Sequence, residues 1–262
     1  MKNLRLCASL LLLVQTTLVF AGVEWEATIV HKVKDEVTTN IHHVYAQGGM
    51  VREEFTQVEG KSGIQKKGTW WLYKGQSNTI TIVDPGEKTY FDMSFDSLMH
   101  MVGALGQLMQ VKISNAANTI EELSPESVST YLCRHVAINN SYDLEMKVLI
   151  MKVKSHIEQR KEMWTINAIP TEEVALAYSM RSIETGIKPL DSLIEKDIET
   201  YKNLGFIIKS LTTETTTTKG KSETSTAETT ISNIITKDLG QDLFTIPEDY
   251  KRIEFKLPGG GE

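Results

Sequence analysis

Apolar and polar residues alternate along much of the chain, and this is the period of a strand with one buried face. In the first such stretch Val23, Trp25, Ala27 and Ile29 alternate with polar residues. Turn residues separate the stretches that follow: Gly48-Gly49, Lys74-Gly75 and Asp84-Pro85-Gly86. The pattern predicts an antiparallel meander with strands at 23–34, 41–47, 50–57, 69–73, 78–83 and 88–93.

The period changes to that of a helix after Ser94, a suitable N-cap residue. Apolar residues then recur at helical spacing: Phe95, Leu98, Met99, Val102, Leu105 and Met109. Met101, Ala104 and Leu108 lie off that stripe, so more than one face of the helix is apolar. A helix with so little polar surface needs to be enclosed by other elements.

The second half returns to strands, predicted at 130–139, 144–153 and 156–166, with Asn139-Asn140-Ser141 as a turn. A helical segment is predicted at 171–204, with one helix from Glu172 and another after Pro189 that ends at Gly205. Two Thr-rich stretches, 206–218 and 223–235, are interpreted as a hairpin about Lys219-Gly220 and not as a linker, because threonine is β-branched. Residues 257–262 are predicted to be a mobile tail.

This order of elements predicts an α+β fold in which one antiparallel β-sheet is curled into a half-barrel over helices. We expect residues 22–262 to form a single domain, because the chain contains neither a linker nor a fixed-period repeat.

Residues 1–21 have the features of a cleavable signal peptide. Lys2 and Arg5 are basic, an apolar run follows, and Ala21 is a small residue suited to cleavage. The run is too short to span a bilayer. Cys7 precedes most of the run, so it is not placed for lipidation. These features predict a periplasmic protein that diffuses freely and is not lipidated.

Charge and cysteine content limit the classes of binding partner and the disulfides that the chain can have. The formal net charge is −6, and losing Lys2 and Arg5 with the signal makes the remaining chain more acidic, which argues against nucleic acid and anionic membranes as partners. Cys133 would then be the one remaining cysteine, so an internal disulfide is excluded.

Several short motifs are similar to those of a known family. They are Gly22-Val23-Glu24-Trp25-Glu26, residues 50–55, residues 80–90, Tyr131-Leu132-Cys133-Arg134-His135 and residues 244–251. Together they resemble an uncharacterised family of exported bacterial proteins, a domain of unknown function. That family in turn resembles the LolA/LppX-like fold of periplasmic lipoproteins and lipid carriers. The resemblance implies an incomplete β-barrel wrapped over helices with an apolar cavity, whereas the Thr-rich hairpin and the segment 171–204 do not match it.

Cys133 and His135 are two residues apart, so on a strand they lie on one face, as a nucleophile and its base would. The surrounding sequence matches no protease signature, and isolated cysteines are commonly buried, so a packed structural thiol is favoured over a catalytic one. We therefore expect a protein that is not an enzyme.

Metal and cofactor sites are not predicted either. His42 and His43 are adjacent, which places them on opposite faces of a strand. Met99, His100 and Met101 offer soft ligands, but neighbours on a helix diverge too far to bind one metal ion. Trp70 and Trp71 also face opposite sides, with one ring expected to be buried and the other at a rim.

The methionines around the first helix are the strongest indication of a ligand site. Methionine is flexible and polarisable, so a surface rich in it adapts to acyl chains, although an ordinary core is the alternative. The residues predicted to line the cavity are Trp25 and Ile29 from a facing strand, and Met99, Val102, Leu105 and Met109 from the helix.

The sequence therefore predicts a periplasmic, non-enzymatic protein that binds a lipid or another hydrophobic molecule without a cofactor. The alternative is an envelope protein-interaction module with a filled core and no ligand.

Overall fold

Strands account for most of the described residues. The computed structural model describes residues 22–60, 65–75, 79–148, 151–167, 169 and 187–254. The strands are β1 Gly22–Val33, β2 Glu36–Gln47, β3 Met50–Gln57, β4 Trp70–Lys74, β5 Thr79–Asp84, β6 Thr89–Ser94, β7 Lys112–Val128, β8 Tyr131–Val148, β9 Met151–Ile166, β10 Phe206–Thr218, β11 Lys221–Lys237 and β12 Lys251–Arg252. The helices are α1 Phe95–Leu108, α2 Lys188–Lys202 and a short 3-10 helix at Gln241–Phe244.

All of these strands belong to one sheet of 12 strands, in the order β12-β6-β5-β4-β3-β2-β1-β11-β10-β9-β8-β7. Every pairing is antiparallel except the short parallel contact of β12 with β6. Strand β1 joins the two halves of the sheet, since it pairs with β2 on one side and β11 on the other. The sheet is curled and does not close, because β7 and β12 remain as its two edges.

Helix α1 connects β6 to β7 and so links strands from opposite ends of the sheet order. Its first turn is capped as predicted, because the Oγ of Ser94 accepts a hydrogen bond from the backbone N–H of Ser97 at 3.3 Å. Beyond its last turn, the carbonyl of Met109 accepts a hydrogen bond from the N–H of Lys147 at 2.7 Å. This bond ties the end of α1 to strand β8.

The core comprises three clusters. The first core cluster contains Val23, Trp25, Ala27, Val44, Ala46, Val51, Cys133, Trp164, Ile166, Ile169, Phe206 and Ile208. The second contains Trp70, Leu72, Val83, Leu239 and Phe244. The third contains Val136, Ile138, Met163 and Leu204.

Side-chain alternation assigns these clusters to opposite faces of the sheet. Leu72 belongs to the second cluster, whereas its neighbour Tyr73 packs against the first. Ile207 packs against the third cluster, whereas Phe206 belongs to the first. The C-terminal segment 238–250 and the end of α2 therefore cover the face opposite to the first core cluster.

The predicted antiparallel, curled and open sheet is confirmed. Its arrangement over helices is not, because within the described residues the helices α1, α2 and the 3-10 helix are few for so large a sheet. Two turn predictions are confirmed. Gly205 follows α2 with φ +86°, and the Thr-rich hairpin turns at Lys219 and Gly220, both with positive φ. The signal segment 1–21, residues 171–186 of the predicted helical segment and the tail 257–262 lie outside the described residues.

The predicted turn at Asn139-Asn140-Ser141 is wrong, because β8 runs without a break through these residues. The amide of Asn140 accepts a hydrogen bond from the amide of Asn118 on β7 at 2.6 Å. The side chain of Asn140 thus bonds across strands, whereas asparagine side chains in turns often bond to the nearby backbone.

Strand β7 was not predicted from the sequence. Register shifts at 114–117 and 123–126 break its alternation, and most of its side chains are exposed.

Candidate functional site

The face of the sheet that carries the first core cluster also carries a group of aromatic and polar side chains on β2, β3 and β4. Ala27 lies opposite His42, His42 opposite Phe55, and Glu53 opposite Trp71. Because opposed residues point to the same side of a sheet, these side chains share the face of Trp25. We call this the Trp25 face, defined by Trp25, Val44, His42, Glu53, Phe55 and Trp71.

Four rings form a row across the Trp25 face. The ring of Phe55 lies 4.6 Å from that of His42 and 5.1 Å from that of Trp71, in both cases edge to face. The ring of Tyr73 follows at 6.4 Å from Trp71. Phe55 is almost wholly buried. Edge-to-face contacts of this kind fix the positions of the rings, and the half-buried rings of Trp71 and Tyr73 form the accessible end of the row.

A partly buried carboxylate lies beside this row. Nδ1 of His42 lies 2.5 Å from Oε1 of Glu53, and the hydroxyl of Tyr73 donates a hydrogen bond to Oε2 at 3.3 Å. The side chain of His42 is 5% exposed and that of Glu53 is 14% exposed. Both oxygens of the carboxylate are therefore engaged by neighbours on the same face.

Two nitrogen atoms on this face are buried without a hydrogen-bond partner, namely Nε2 of His42 and Nε1 of Trp71. Leaving a buried polar group unpaired costs about 1–3 kcal/mol, so native proteins rarely retain such groups without a reason. An apolar surface that holds a few polar groups is typical of a small-molecule site.

The residues predicted to line a cavity lie in two places. Trp25 is buried and packs edge to face on Phe206, with ring centroids 5.4 Å apart, and Ile29 is half-buried on the same side of β1. Met99 and Met109 are half-buried in or just after α1, whereas the side chains of Val102 and Leu105 lie outside the described part of the chain. The most extensive described strand contact of α1 is with β6. That the six residues of the predicted cavity together form a binding surface stays a prediction.

His42, Glu53 and Phe55 were not among the residues predicted to form a site. The sequence feature that could have identified them is the two-residue turn Gly48-Gly49. This turn pairs Gln47 with Met50 and so brings His42 opposite Phe55. Reading the register outward from this turn would have placed a histidine diagonal to a carboxylate on a buried face.

Cys133 and His135 have separate surroundings, although they lie on one face of β8. The thiol of Cys133 is buried and donates to the carbonyl of Tyr131 at 3.4 Å, and burial raises its pKa. The ring of His135 stacks on Trp164 at 4.3 Å and bonds Glu162 through Nε2 at 3.0 Å. A raised thiol pKa disfavours the thiolate that a nucleophile needs, so this geometry favours a packed structural thiol.

Residues 28–250 match the family described as "Domain of unknown function (DUF4412)". The chain belongs to the DUF4412 family. This confirms the prediction of an uncharacterised domain family. No curated protein matches the chain.

Solved structures similar to this DUF4412 chain include one described as an outer membrane lipoprotein-sorting protein domain from Vibrio parahaemolyticus. It is 11% identical, with a TM-score of 0.33, and the match covers 86% of this chain and 89% of that one. A DUF1329 family protein from Desulfovibrio piger is 10% identical, with a TM-score of 0.26 and coverage of 86% and 90%. PNGF-II is 11% identical, with a TM-score of 0.30; the match covers 85% of this chain but spans only 29% of that protein.

His42 and His43 of the DUF4412 chain lie on opposite faces, as predicted. The ring of His43 stacks on Tyr45 at 4.6 Å, and its Nε2 lies 3.8 Å from Glu24. Among the described residues, no three or more His, Cys, Asp or Glu side chains are grouped so that they could hold a metal ion. In the same part of the chain, no helix has the length and apolar character needed to cross a membrane.

Proposed function

We propose that this DUF4412 chain is a non-enzymatic periplasmic binding protein that holds a lipid or another apolar molecule against the Trp25 face. The observation that carries the proposal is the apolar face of an open, curled sheet, on which the row of rings ends in the half-buried side chains of Trp71 and Tyr73. A ligand that covers this surface gains roughly 25 cal/mol for each Å² of apolar area removed from water. Such binding requires no cofactor.

Helix α1 supplies the second element of the proposed site. It follows directly from β6, whose residues Phe91 and Met93 lie opposite Ile82 and Ile80. This register continues the Trp25 face across β5 and β6. Half-buried methionines at positions 99 and 109 adapt to apolar groups of varied shape.

The periplasmic location rests on the sequence of residues 1–21, with its basic start, apolar run and terminal alanine. Because Cys7 precedes most of the apolar run, we propose that the chain is not lipidated and carries its ligand by diffusion. Fractionation of expressing cells tests this part, and recovery in the cytoplasm would contradict it.

Native mass spectrometry of the purified protein, combined with lipid extraction, tests ligand binding. We expect either a co-purifying apolar molecule or the uptake of an apolar fluorophore at a stoichiometry of about one. A protein that carries no lipid and takes up no fluorophore would contradict the proposal.

Two substitutions test the role of α1. A tryptophan in place of Met99 or Met109 should abolish fluorophore uptake, because the larger ring would occupy the space of the ligand. Leu108→Trp is the matched control, since Leu108 is 78% exposed on the same helix. If the core is filled and there is no ligand, the two variants should only lower stability, by about 1–3 kcal/mol through overpacking.

A further inference from the structure

The end of the hairpin formed by β8 and β9 carries a cluster of lysines on one face. Lys147 lies directly opposite Lys152, and Glu145 lies opposite Lys154 on one side and Lys112 of β7 on the other. Opposed residues and residues two apart share a face of a sheet, so four ammonium groups share a face with one carboxylate. Glu145 bonds Lys152 at 2.6 Å and Lys154 at 3.4 Å, whereas Lys112 and Lys147 form no ion pair with another described residue.

Positive charge is in excess on this face. Directly opposed like charges, such as the two lysines of β8 and β9, destabilise a sheet. The hydrogen bond from Lys152 lowers the pKa of Glu145, so this carboxylate is ionised and offsets one of the four positive charges. The next acidic group along the face, Asp143, is engaged by Asn115 at 2.6 Å and by His156 at 2.7 Å. An external anion would therefore stabilise the lysines at the hairpin end.

The other face of the same hairpin end is apolar. Met146 lies opposite Val153, and both are half-buried. Met151, on the same face as Val153, is 61% exposed. The sequence between the two strands, Leu149-Ile150, is also apolar, whereas short connections are ordinarily made by glycine, asparagine or proline. An exposed apolar group rimmed by charge is typical of a surface that contacts an apolar partner.

The end of α1 adds a second exposed apolar residue. The carbonyl of Met109 accepts a hydrogen bond from the N–H of Lys147 at 2.7 Å, so the end of α1 lies beside the hairpin end. Leu108 is 78% exposed, and the neighbouring Gln107 and Gln110 are exposed and uncharged. We call the two exposed apolar residues and the four lysines the basic tip, defined by Leu108, Lys112, Lys147, Met151, Lys152 and Lys154.

We infer that the basic tip docks the protein on a lipid bilayer that contains anionic headgroups. Exposed apolar side chains enter the headgroup region, and long lysine side chains keep their ammonium groups at the level of the phosphates. Each lysine close to an anionic membrane strengthens binding about fivefold. This docking surface goes beyond the proposed function, because it lies on other strands than the Trp25 face and requires no ligand there.

The net negative charge of the chain does not oppose this contact. At physiological ionic strength an exposed charge acts over about 8 Å, so the lipid surface responds to the basic tip and not to acidic residues elsewhere. The expectation from composition, that an acidic chain avoids anionic membranes, therefore applies to its other surfaces. Docking through exposed lysines is expected to weaken as the salt concentration rises.

Co-sedimentation of the purified protein with lipid vesicles tests the docking surface. One set of vesicles is phosphatidylcholine alone, and the other contains about 30% phosphatidylglycerol. We expect the wild-type protein to bind the anionic vesicles about tenfold or more tightly than the neutral ones. Raising the salt to about 1 M should release most of the bound protein.

The double variant Lys147→Gln/Lys152→Gln tests the lysines. It should bind the anionic vesicles about thirtyfold more weakly, because two positive charges are lost. It should fold with a Tm close to that of the wild type, since a like-charge pair is removed and Lys154 still pairs with Glu145. Lys67→Gln/Lys251→Gln is the matched control, because it removes two exposed lysines that lie before β4 and on β12. The control should bind as the wild type does.

Met151→Ser tests the apolar part of the tip and serves as the second variant if the double variant does not fold. It should weaken vesicle binding about tenfold, because apolar area is lost, and it should leave the salt dependence unchanged. Ile235→Ser is its control, since Ile235 is 49% exposed on β11 and does not belong to the basic tip. This control should bind the vesicles normally.

The possible outcomes separate docking from ligand binding. Equal binding to neutral and anionic vesicles, full binding by the double lysine variant, or an equal loss in either control would overturn the inference and leave the proposed function standing. Binding of polyglutamate without binding of vesicles would indicate an acidic protein partner and would also overturn it. Fluorophore uptake should be unchanged in all of these variants. A wild-type protein that binds vesicles but takes up no fluorophore would contradict the proposed function alone.

Discussion

At His42 and His43 the alternation of strand side chains gives two neighbouring residues different chemistry. His42 is held by the carboxylate of Glu53 on the Trp25 face, whereas His43 stacks on Tyr45 on the other face. The sequence predicts that the two lie on opposite faces. It does not by itself show which of them meets a carboxylate, because that depends on the register that the turn Gly48-Gly49 sets between β2 and β3.

Cys133 provides a test at the residue scale. Its thiol is buried and burial raises its pKa, so little thiolate is present and reagents have no access. We expect a disulfide reagent at pH 8 to label the folded protein far more slowly than the protein unfolded in guanidinium. Rapid labelling of the folded protein would contradict a packed thiol.

The companion variant is Cys133→Ala. It should fold, lose about 1 kcal/mol of stability and bind the fluorophore unchanged. Loss of fluorophore binding in a folded Cys133→Ala protein would instead implicate the thiol in function.

Glu162 is expected to make the stability of the folded protein depend on pH in a defined direction. The hydrogen bond from Arg160 lowers the pKa of this carboxyl, and the bond to His135 acts in the same direction. Because the folded pKa lies below the unfolded value of about 4.3, the stabilisation is present above that pH and is lost as pH falls through the folded pKa.

Thermal unfolding between pH 7 and pH 3 tests this expectation. Glu162→Gln should lower Tm at pH 7, and its difference from the wild type should shrink below about pH 4. Glu158→Gln on the same strand is the control, since the Glu158 side chain is 67% exposed and its removal should leave Tm unchanged. A difference that grows on acidification would contradict the assignment.

Among the elements, those with regular alternation and tight turns followed from the sequence. The hairpin about Lys219-Gly220 is an example, because both residues adopt the positive φ of a turn and its strands pair without interruption. Strand β7 did not follow, because a bulge near Asn115 and another near Pro125 hide its period. A turn at Asn139 was predicted wrongly, because pairing with β7 competes with local turn chemistry.

The connection from α2 to β10 can be tested at Gly205. Gly205 has φ +86°, and a Cβ there would lie 2.8 Å from the carbonyl oxygen of Ile166. Gly220 has φ +74° with nothing within 4 Å of such a Cβ. Gly220→Ala should therefore cost only the backbone strain of about 1–2 kcal/mol.

Gly205→Ala should cost more than Gly220→Ala, because the backbone of Ile166 must also move. Urea unfolding of the two variants measures the difference in the free energy of unfolding. Equal losses would show that α2 and β10 adjust to the added methyl group without strain.

For the whole molecule, the arrangement of the covering segments is the main result. The C-terminal segment and α2 both pack on the face opposite to the first core cluster. Sequence periodicity predicted an antiparallel sheet, and the order of elements and the family resemblance predicted that it is curled and open. None of them could assign covering segments to a face. That assignment depends on which strands become neighbours, and β1 pairs with β11, a strand from the other end of the chain.

The candidate site was predicted only in part for the same reason. Trp25 and Ile29 were placed on one face by alternation within a single strand. Phe55 and Trp71 join that face only through the pairing of β2 with β3 and of β3 with β4.

The central claim is that an apolar ligand lies against the Trp25 face, and fluorescence quenching by a brominated ten-carbon alcohol tests it most directly. Trp25 and Trp71 lie on that face and Trp70 on the opposite one, so the ligand should quench Trp25 and Trp71 but not Trp70. We predict that quenching persists in Trp70→Phe and falls markedly in Trp71→Phe. No quenching in the wild-type protein, or an equal fall in both variants, would contradict the claim.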